Sequence, residues 1–389
     1  MNFDFLSPVS DVVLAHNELL SQQALGRKIK LHTQQNGLPD INGADIAILG
    51  VMENRNAVNY TEDILHFDGI RKALYELFPG NWKISVVDLG NILPGESVED
   101  TYFALKNTIA LLLEKNVIPI ILGGSQDLTY CNYRAYDNVA PMINIVNVDS
   151  NFDLGDAAQP IKNNSYLGKI IVEQPFNLFN YSTIGYQTYF NSQEEIDLME
   201  KLYFEAYRLG EVSANITLVE PVLRDAHIVS VDLKSVKGSE LDTAQKFSPN
   251  GFDGKEICAI SRYAGISNKV SSFGIYEYKP SSEDHGMTEA LVAQMIWYFI
   301  EGVNCRVNDD VLNNENLHQK FNVIIEEQDL IFYKSIKTGR WWIEIPFLPN
   351  VNNKLKKHTL LPCSYEDYVE ATKGNIPERW YKAYKKNSF

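Results

Sequence analysis

Four short clusters of the chain carry side chains suited to proton, cation or amide chemistry. They are Ser125, Gln126 and Asp127; Asp149, Ser150, Asn151 and Asp153; Asp232 with Lys234; and Glu277. Each stands at or just after the end of an apolar, β-branched run: VIPIILGG, INIVNVD, HIVSVDL and SSFGIYEY in turn. In a parallel α/β sheet ligands bind at the carboxyl ends of the strands, so these carboxylates, amides and one ammonium would converge on one edge. A buried group of acids needs a cation, a proton or a hydrogen-bond network, because unpaired charge in an interior is very costly. Asp149 and Asp153 alone would equally suit helix N-caps, but three strands ending in this way favour a site. Histidines are scarce, with none between His66 and His227. His227 lies five residues before Asp232 on the same run, so alternation points it to the opposite face, as a core or strand-end histidine. His285, in Ser-Glu-Asp-His-Gly-Met-Thr, follows the Glu277 strand and could approach the site, but reads more simply as part of a helix start.

Positioning these clusters is the task of the elements around them. Further apolar runs, IAILGV (46–51), ISVVDLG (84–90) and STIGY (182–186), precede or separate the four. Most are apolar on both faces, as strands covered by helices on each side must be. Between them DGIRKALYELF, VEDTYFALKNTIALLLEKN and QEEIDLMEKLYFEAYRL space their apolar residues three and four apart, which is helical. Strand, helix, strand at this rhythm predicts a mainly parallel sheet built from right-handed crossovers. There is no internal repeat, so residues 1–303 are expected to form one α/β domain and 304–389 a C-terminal extension. In that extension VNDDVLNNENLHQK reads as a polar loop or short helix. DLIFYKS and RWWIEIPF flank IKTG as a β-hairpin, and two short helices follow, parted at Gly374 and Pro377. Trp341, Trp342, Ile343, Ile345 and Phe347 are too apolar to leave in water, so the extension should pack on the rest.

The chain has 389 residues, 45% hydrophobic and 22% charged, with a formal net charge of −15. That balance argues against nucleic acid and anionic membrane as partners, since both reward clustered Lys and Arg. Four scattered cysteines form no C-x-x-C pair, which argues against a disulfide framework or zinc ribbon and fits a reducing compartment. The amino terminus does not read as a signal peptide. The most apolar helical stretch, Ala290 to Ile300, contains Gln294 and is about half the length of a membrane span, so a cytoplasmic protein is expected. Neither G-x-G-x-x-G nor a P-loop occurs, which argues against nucleotide binding.

The same clusters carry a family resemblance. ILGGSQDLT resembles the GGDHS-(I/L/V)-T segment of the arginase, agmatinase and formimidoylglutamase superfamily, VDSNFDL its DAHxDL segment, and SVDLKSVKGSE its SxDxDxxDP segment. SPNGFDGKEICAI is similar to the loop opening the next helix, and IYEYKP to the strand end with a Glu before Asn-Pro. Order and spacing agree for all five, and upstream GIRKALYELF and DLGNILPG most nearly resemble the formimidoylglutamase branch. The resemblance covers roughly residues 45 to 300. It implies a three-layer α/β/α fold with a mainly parallel sheet of about eight strands. It also implies hydrolysis of a guanidino or amidine carbon–nitrogen bond by a hydroxide bridging two Mn(II) ions. Carboxylates and imidazoles suit Mn(II), and two divalent ions make a nucleophile of water at neutral pH.

Carried over residue by residue, the resemblance assigns metal-ligand positions to Asp149, Asp153 and Asp232, and a pocket position to Glu277. Three ligand positions are degenerate: Gln126 stands for the GGDH histidine, Asn151 for the DAH histidine, and Lys234 for the second Asp of DxD. On a strand Lys234 would share a face with Asp232 and pair its ammonium with Asp149, Asp153 or Asp232; bent to solvent, it would leave room for a metal. The expectation is a superfamily member with a degraded dinuclear manganese site, non-catalytic or altered in activity. The alternative is a formimidoylglutamase-like hydrolase of linear amidine C–N bonds using a single metal. The cofactor is then one weakly bound Mn(II) or other divalent ion, or none. A small amidine or guanidino compound is the partner if the protein is active, and a homo-oligomer is compatible with the resemblance.

Overall fold

The structure is a computed structural model that describes residues 3, 5–60, 65–140, 142–242, 248–280, 286–309, 317–325, 328–346 and 360–388. Its main sheet is formed by β1 (Leu6–Ser7), β2 (Lys30–Leu31), β3 (Ile46–Val51), β4 (Val86–Ile92) and β5 (Ile118–Gly123), followed by β6 (Ile143–Val148), β7 (Leu178–Tyr186), β8 (Glu205–Arg208), β9 (Ile228–Asp232) and β10 (Ser272–Tyr276). The order across the sheet is β1-β4-β3-β5-β10-β9-β6-β7-β8, with β2 also paired to β4. β3 to β10 run parallel; only the short β1 is antiparallel to its neighbour. The central strands are buried on both faces, as their β-branched composition requires.

The helices of this part are α1 (Asp11–Leu19), α2 (Asp68–Glu76), α3 (Val98–Glu114), α4 (Leu128–Arg134), α5 (Tyr166–Val172) and α6 (Gln193–Lys201), then α7 (Leu209–Ala214), α8 (Val219–Arg224), α9 (Gly254–Ile266) and α10 (Met287–Asn304). α1, α2 and α7–α10 share one apolar core with the sheet, and α3–α6 share a second on the other face. This is the three-layer α/β/α arrangement expected. Capping boxes at Ser97, Ser192 and Asp253 start α3, α6 and α9 where each crossover leaves the sheet. The helical reading of QEEIDLMEKLYFEAYRL is half corrected. α6 ends at Lys201, Tyr203 turns the chain with φ 55°, and Glu205–Arg208 pairs with β7 as the outermost strand. Among the described residues no helix is long and apolar enough to cross a membrane.

Beyond α10 lies a second, antiparallel sheet: β11 (His318–Ile325), β12 (Gln328–Ser335), β13 (Trp341–Glu344) and β14 (Leu360–Cys363). The hairpin predicted around IKTG is β12–β13. The sequence reading overlooked β11 and β14. Two helices close this sheet, α11 (Tyr365–Thr372) and α12 (Glu378–Ser388), around Trp341, Ile343, Ile345 and Trp380; Phe347 lies outside the described residues. The buried guanidinium of Arg224, at the end of α8, ties the two parts together. It donates to the Trp341 carbonyl at 3.0 Å and the Cys363 carbonyl at 3.1 Å, and lies 4.5 Å from the Trp342 ring centroid. Arg379 of α12 adds a bond to the Pro362 carbonyl at 2.8 Å and an ion pair with Glu205 at 3.4 Å. On the face of the main sheet that carries α10, Trp82 packs against Trp297 with ring centroids 5.4 Å apart.

Candidate functional site

Parallel strands deliver their carboxyl ends to one side of the sheet, and β5, β6, β9 and β10 lie together at its centre in the order β5-β10-β9-β6. Gln126, Asp149, Asp153, Asp232 and Glu277 are all buried there. β5 leaves the sheet through Gly124, where a Cβ would collide with the Glu53 carbonyl; Ser125 N–H bonds that carbonyl at 3.1 Å instead. Asp153 (φ 54°) and Glu277 (φ 62°) both hold left-handed backbone, which non-glycine residues adopt at a cost.

Lys234 forms the centre of the network. Its ammonium is 2.6 Å from Glu277 Oε2 and 3.7 Å from Asp232 Oδ2. Of the three aspartates expected as partners Asp232 is one, but the nearer partner is Glu277. The reason lies in the backbone. β9 stops at Asp232, and Leu233–Ser235 form a 3₁₀ turn whose Lys234 N–H is capped by Asp232 Oδ1 at 2.6 Å. Strand alternation therefore does not govern Lys234, and the turn swings it across towards β10. Glu277 is held by more than Lys234: Oε1 accepts from Gln126 N–H at 3.0 Å and from Asn163 Nδ2 at 2.8 Å.

Asp149 accepts from Asn151 N–H at 3.0 Å and from Asn147 Nδ2 at 3.2 Å, and Asp153 bonds to it as well. Burial raises the Asp149 carboxyl above the ordinary range despite these donors. Burial, the charge of Asp149 and donation of its own proton to Asp149 raise Asp153 well above that range. Burial also lifts Asp232 strongly, with Lys234 opposing and Asp149 and Glu277 adding to the shift. Burial works against the Lys234 ammonium, but Asp232 and Glu277 outweigh it and its pKa rises. The arrangement thus sets one ammonium among clustered carboxylates whose affinity for protons burial raises.

The amide positions face elsewhere. Gln126 Nε2 points into the core, to Asn147 Oδ1 at 2.8 Å, with Tyr166 and Ser230 hydroxyls at 3.3 and 3.5 Å; its Oε1 has no hydrogen-bond partner among the described residues. The Asn151 amide donates to the Phe190 carbonyl at 3.2 Å and accepts from Ser150 at 2.8 Å. His227 stands at the far end of β9, where its Nδ1 accepts from Asn144 N–H at 3.1 Å; His285 lies outside the described residues. Among the described residues, no three His, Cys, Asp or Glu side chains gather in a way that could hold a metal ion. Asp127, one residue past Gln126, is held by Tyr102 and Ser125, and burial pushes its carboxyl up to about 6. The sequence reading missed Asn147 and Asn163. Asn147 had a signal, an amide two residues before Asp149 in a strand whose other residues, Asn144 apart, are apolar; Asn163 sits in a loop with none.

Comparison with known proteins places the chain among relatives. The arginase family model matches residues 44–301. The formimidoylglutamase of Streptococcus gordonii is 22% identical over 291 residues, spanning 70% of this chain and 88% of its own. That of Staphylococcus aureus is 25% identical over 250 residues, or 60% and 78% of the two chains. The formiminoglutamase of Trypanosoma cruzi, solved with manganese, superposes with a TM-score of 0.59 at 17% identity, over 68% of this chain and 95% of that one. The formimidoylglutamase of Bacillus subtilis gives 0.62 at 16%, over 69% and 91%. These likenesses establish a shared fold.

Proposed function

The chain belongs to the arginase family, and we propose that it is a formimidoylglutamase-like member whose dinuclear metal site has been replaced by an ion-pair network that does not hydrolyse amidines. The observation that carries this reading is the Lys234 ammonium, 2.6 Å from Glu277 at the position where the resemblance expects a metal-ligating aspartate. A fixed ammonium repels a divalent ion and neutralises part of the carboxylate charge that would otherwise attract one.

On this reading the residues present do not fit two Mn(II) ions. Burial and the charge of Asp149 push the Asp153 carboxyl towards its protonated form, which is a poor ligand. Gln126 and Asn151 offer weaker donors than imidazole and direct their amides to Asn147 and the Phe190 carbonyl. The family cleft then serves binding rather than turnover, and the small molecules that relatives act on are candidate ligands rather than substrates.

Metal analysis after incubation with Mn(II), beside an assay of formamide and ammonia release from formimidoylglutamate, tests the proposal. Less than one equivalent of manganese and no release are expected. Two tightly held equivalents would overturn it. One equivalent accompanied by turnover would establish a single-metal hydrolase instead.

A further inference from the structure

A second site lies at the opposite end of the strands. A cavity of about 530 Å³ opens beside the amino end of β7, within the size range of small-molecule pockets. Its walls are apolar: Ile170 and Ile171 of α5, Leu178 and Phe179 of β7, and Leu202 and Phe204 between α6 and β8. The polar corner comes from the C-terminal extension. Lys386 of α12 enters the cavity, with its ammonium 5.7 Å from the Phe179 ring centroid and 5.3 Å from that of Phe204, and donates to Asn180 Oδ1. Lys201, exposed on α6, supplies a second cation at the rim.

No Asp or Glu lines this cavity. Glu205, the nearby acid on β8, is engaged by Arg379, by the Ser182 hydroxyl at 3.2 Å and by the Tyr207 hydroxyl at 3.1 Å. Among the described residues no carboxylate makes an ion pair with Lys386. Burial, offset in part by Glu205 and Asp225 and reinforced by Lys382 and Arg379, pulls Lys386 down to about 7. Among the described residues its direct partners are an amide oxygen and two ring faces, with Glu205 and Asp225 acting on it from farther away, so an anion in the cavity would find an ammonium without a direct counter-ion.

We propose that this cavity binds a small carboxylate with an apolar tail, the carboxylate pairing with Lys386 and the tail lying against Ile170, Leu178 and Phe204. The extension thereby completes a binding site that the main domain alone does not form. The proposal is independent of the fate of the metal centre, which lies beyond the other ends of the same strands.

Octanoate, monomeric at millimolar concentration, is a suitable probe, titrated calorimetrically into the full chain. Saturable one-to-one binding is expected, at least ten-fold weakened by Lys386→Met and kept within a few-fold by Lys386→Arg. Octylamine, with the same tail and the opposite charge, should not compete; this comparison needs no variant to fold. No saturable octanoate binding, equal competition by octylamine, or unchanged affinity in Lys386→Met would each overturn the proposal.

Discussion

Lys234 has a side chain 38% exposed, whereas the Glu277 it meets is only 4% exposed. The two ends of the pair therefore contribute unequally. Lys234→Met leaves Glu277 and Asp232 buried without their cation, a loss of about 1–2 kcal/mol after discounting for solvent screening at the exposed end, measurable as a lower urea midpoint. Changing Lys234→Asp, Asn151→His and Gln126→His together should recover Mn(II) binding, read by metal analysis and electron paramagnetic resonance, because the changes remove the ammonium and restore two imidazoles and a carboxylate to the family's ligand set. A triple variant that folds and still takes up no manganese would show that the loss lies deeper than three side chains. The four acids were legible from the sequence because each stands at or within a few residues of the end of a recognisable strand. The partner of Lys234 was not, since it depends on a three-residue turn that alternation cannot foresee. Nor was Asn163, placed against Glu277 from a loop 114 residues distant in sequence.

Of the eight strands β3 to β10, seven stand where apolar runs announce them, because a strand covered on both faces writes its burial directly into β-branched composition. β8 breaks that rule: it lies at the edge, with two of its four residues half-buried and one exposed, and its sequence continues the helical spacing of α6. The extension's strands were half legible for a similar reason, since β11 alternates exposed and half-buried residues and carries polar ones that read as loop. At this scale α12 makes a prediction about pH. Lys386 titrates near 7 in the folded chain against an ordinary 10.5, so the folded state binds fewer protons than the unfolded one between those values. Its cost is full below pH 7 and vanishes as pH rises past 10.5. Lys386→Met should therefore raise stability most near pH 6, by on the order of 1 kcal/mol, and hardly at all near pH 10, read as the shift of the thermal midpoint at each pH. A gain independent of pH would mean that packing rather than charge explains it.

At the scale of the whole molecule the extension meets the main sheet and its helices through Arg224, Arg379 and Lys386, with Arg224 the most deeply engaged. Replacing it with Met strips the Trp341 and Cys363 carbonyls of their donor inside a buried seam. A loss of about 2–4 kcal/mol is expected, together with faster cleavage between α10 and β11 in limited proteolysis. An unchanged digestion pattern would mean that the seam is secured elsewhere. The aromatic residues are divided between the two parts in a way that has an optical consequence. Of the five tryptophans, Trp341, Trp342 and Trp380 belong to the extension, and Trp82 and Trp297 form the tilted pair beside the main sheet. A chain with phenylalanine at 82 and 297 would emit from the extension alone. Its fluorescence would then track Arg224 letting go of the Trp342 ring, while the secondary-structure signal of the sheet reports the main domain, so a single denaturation experiment could tell whether the two parts come undone together.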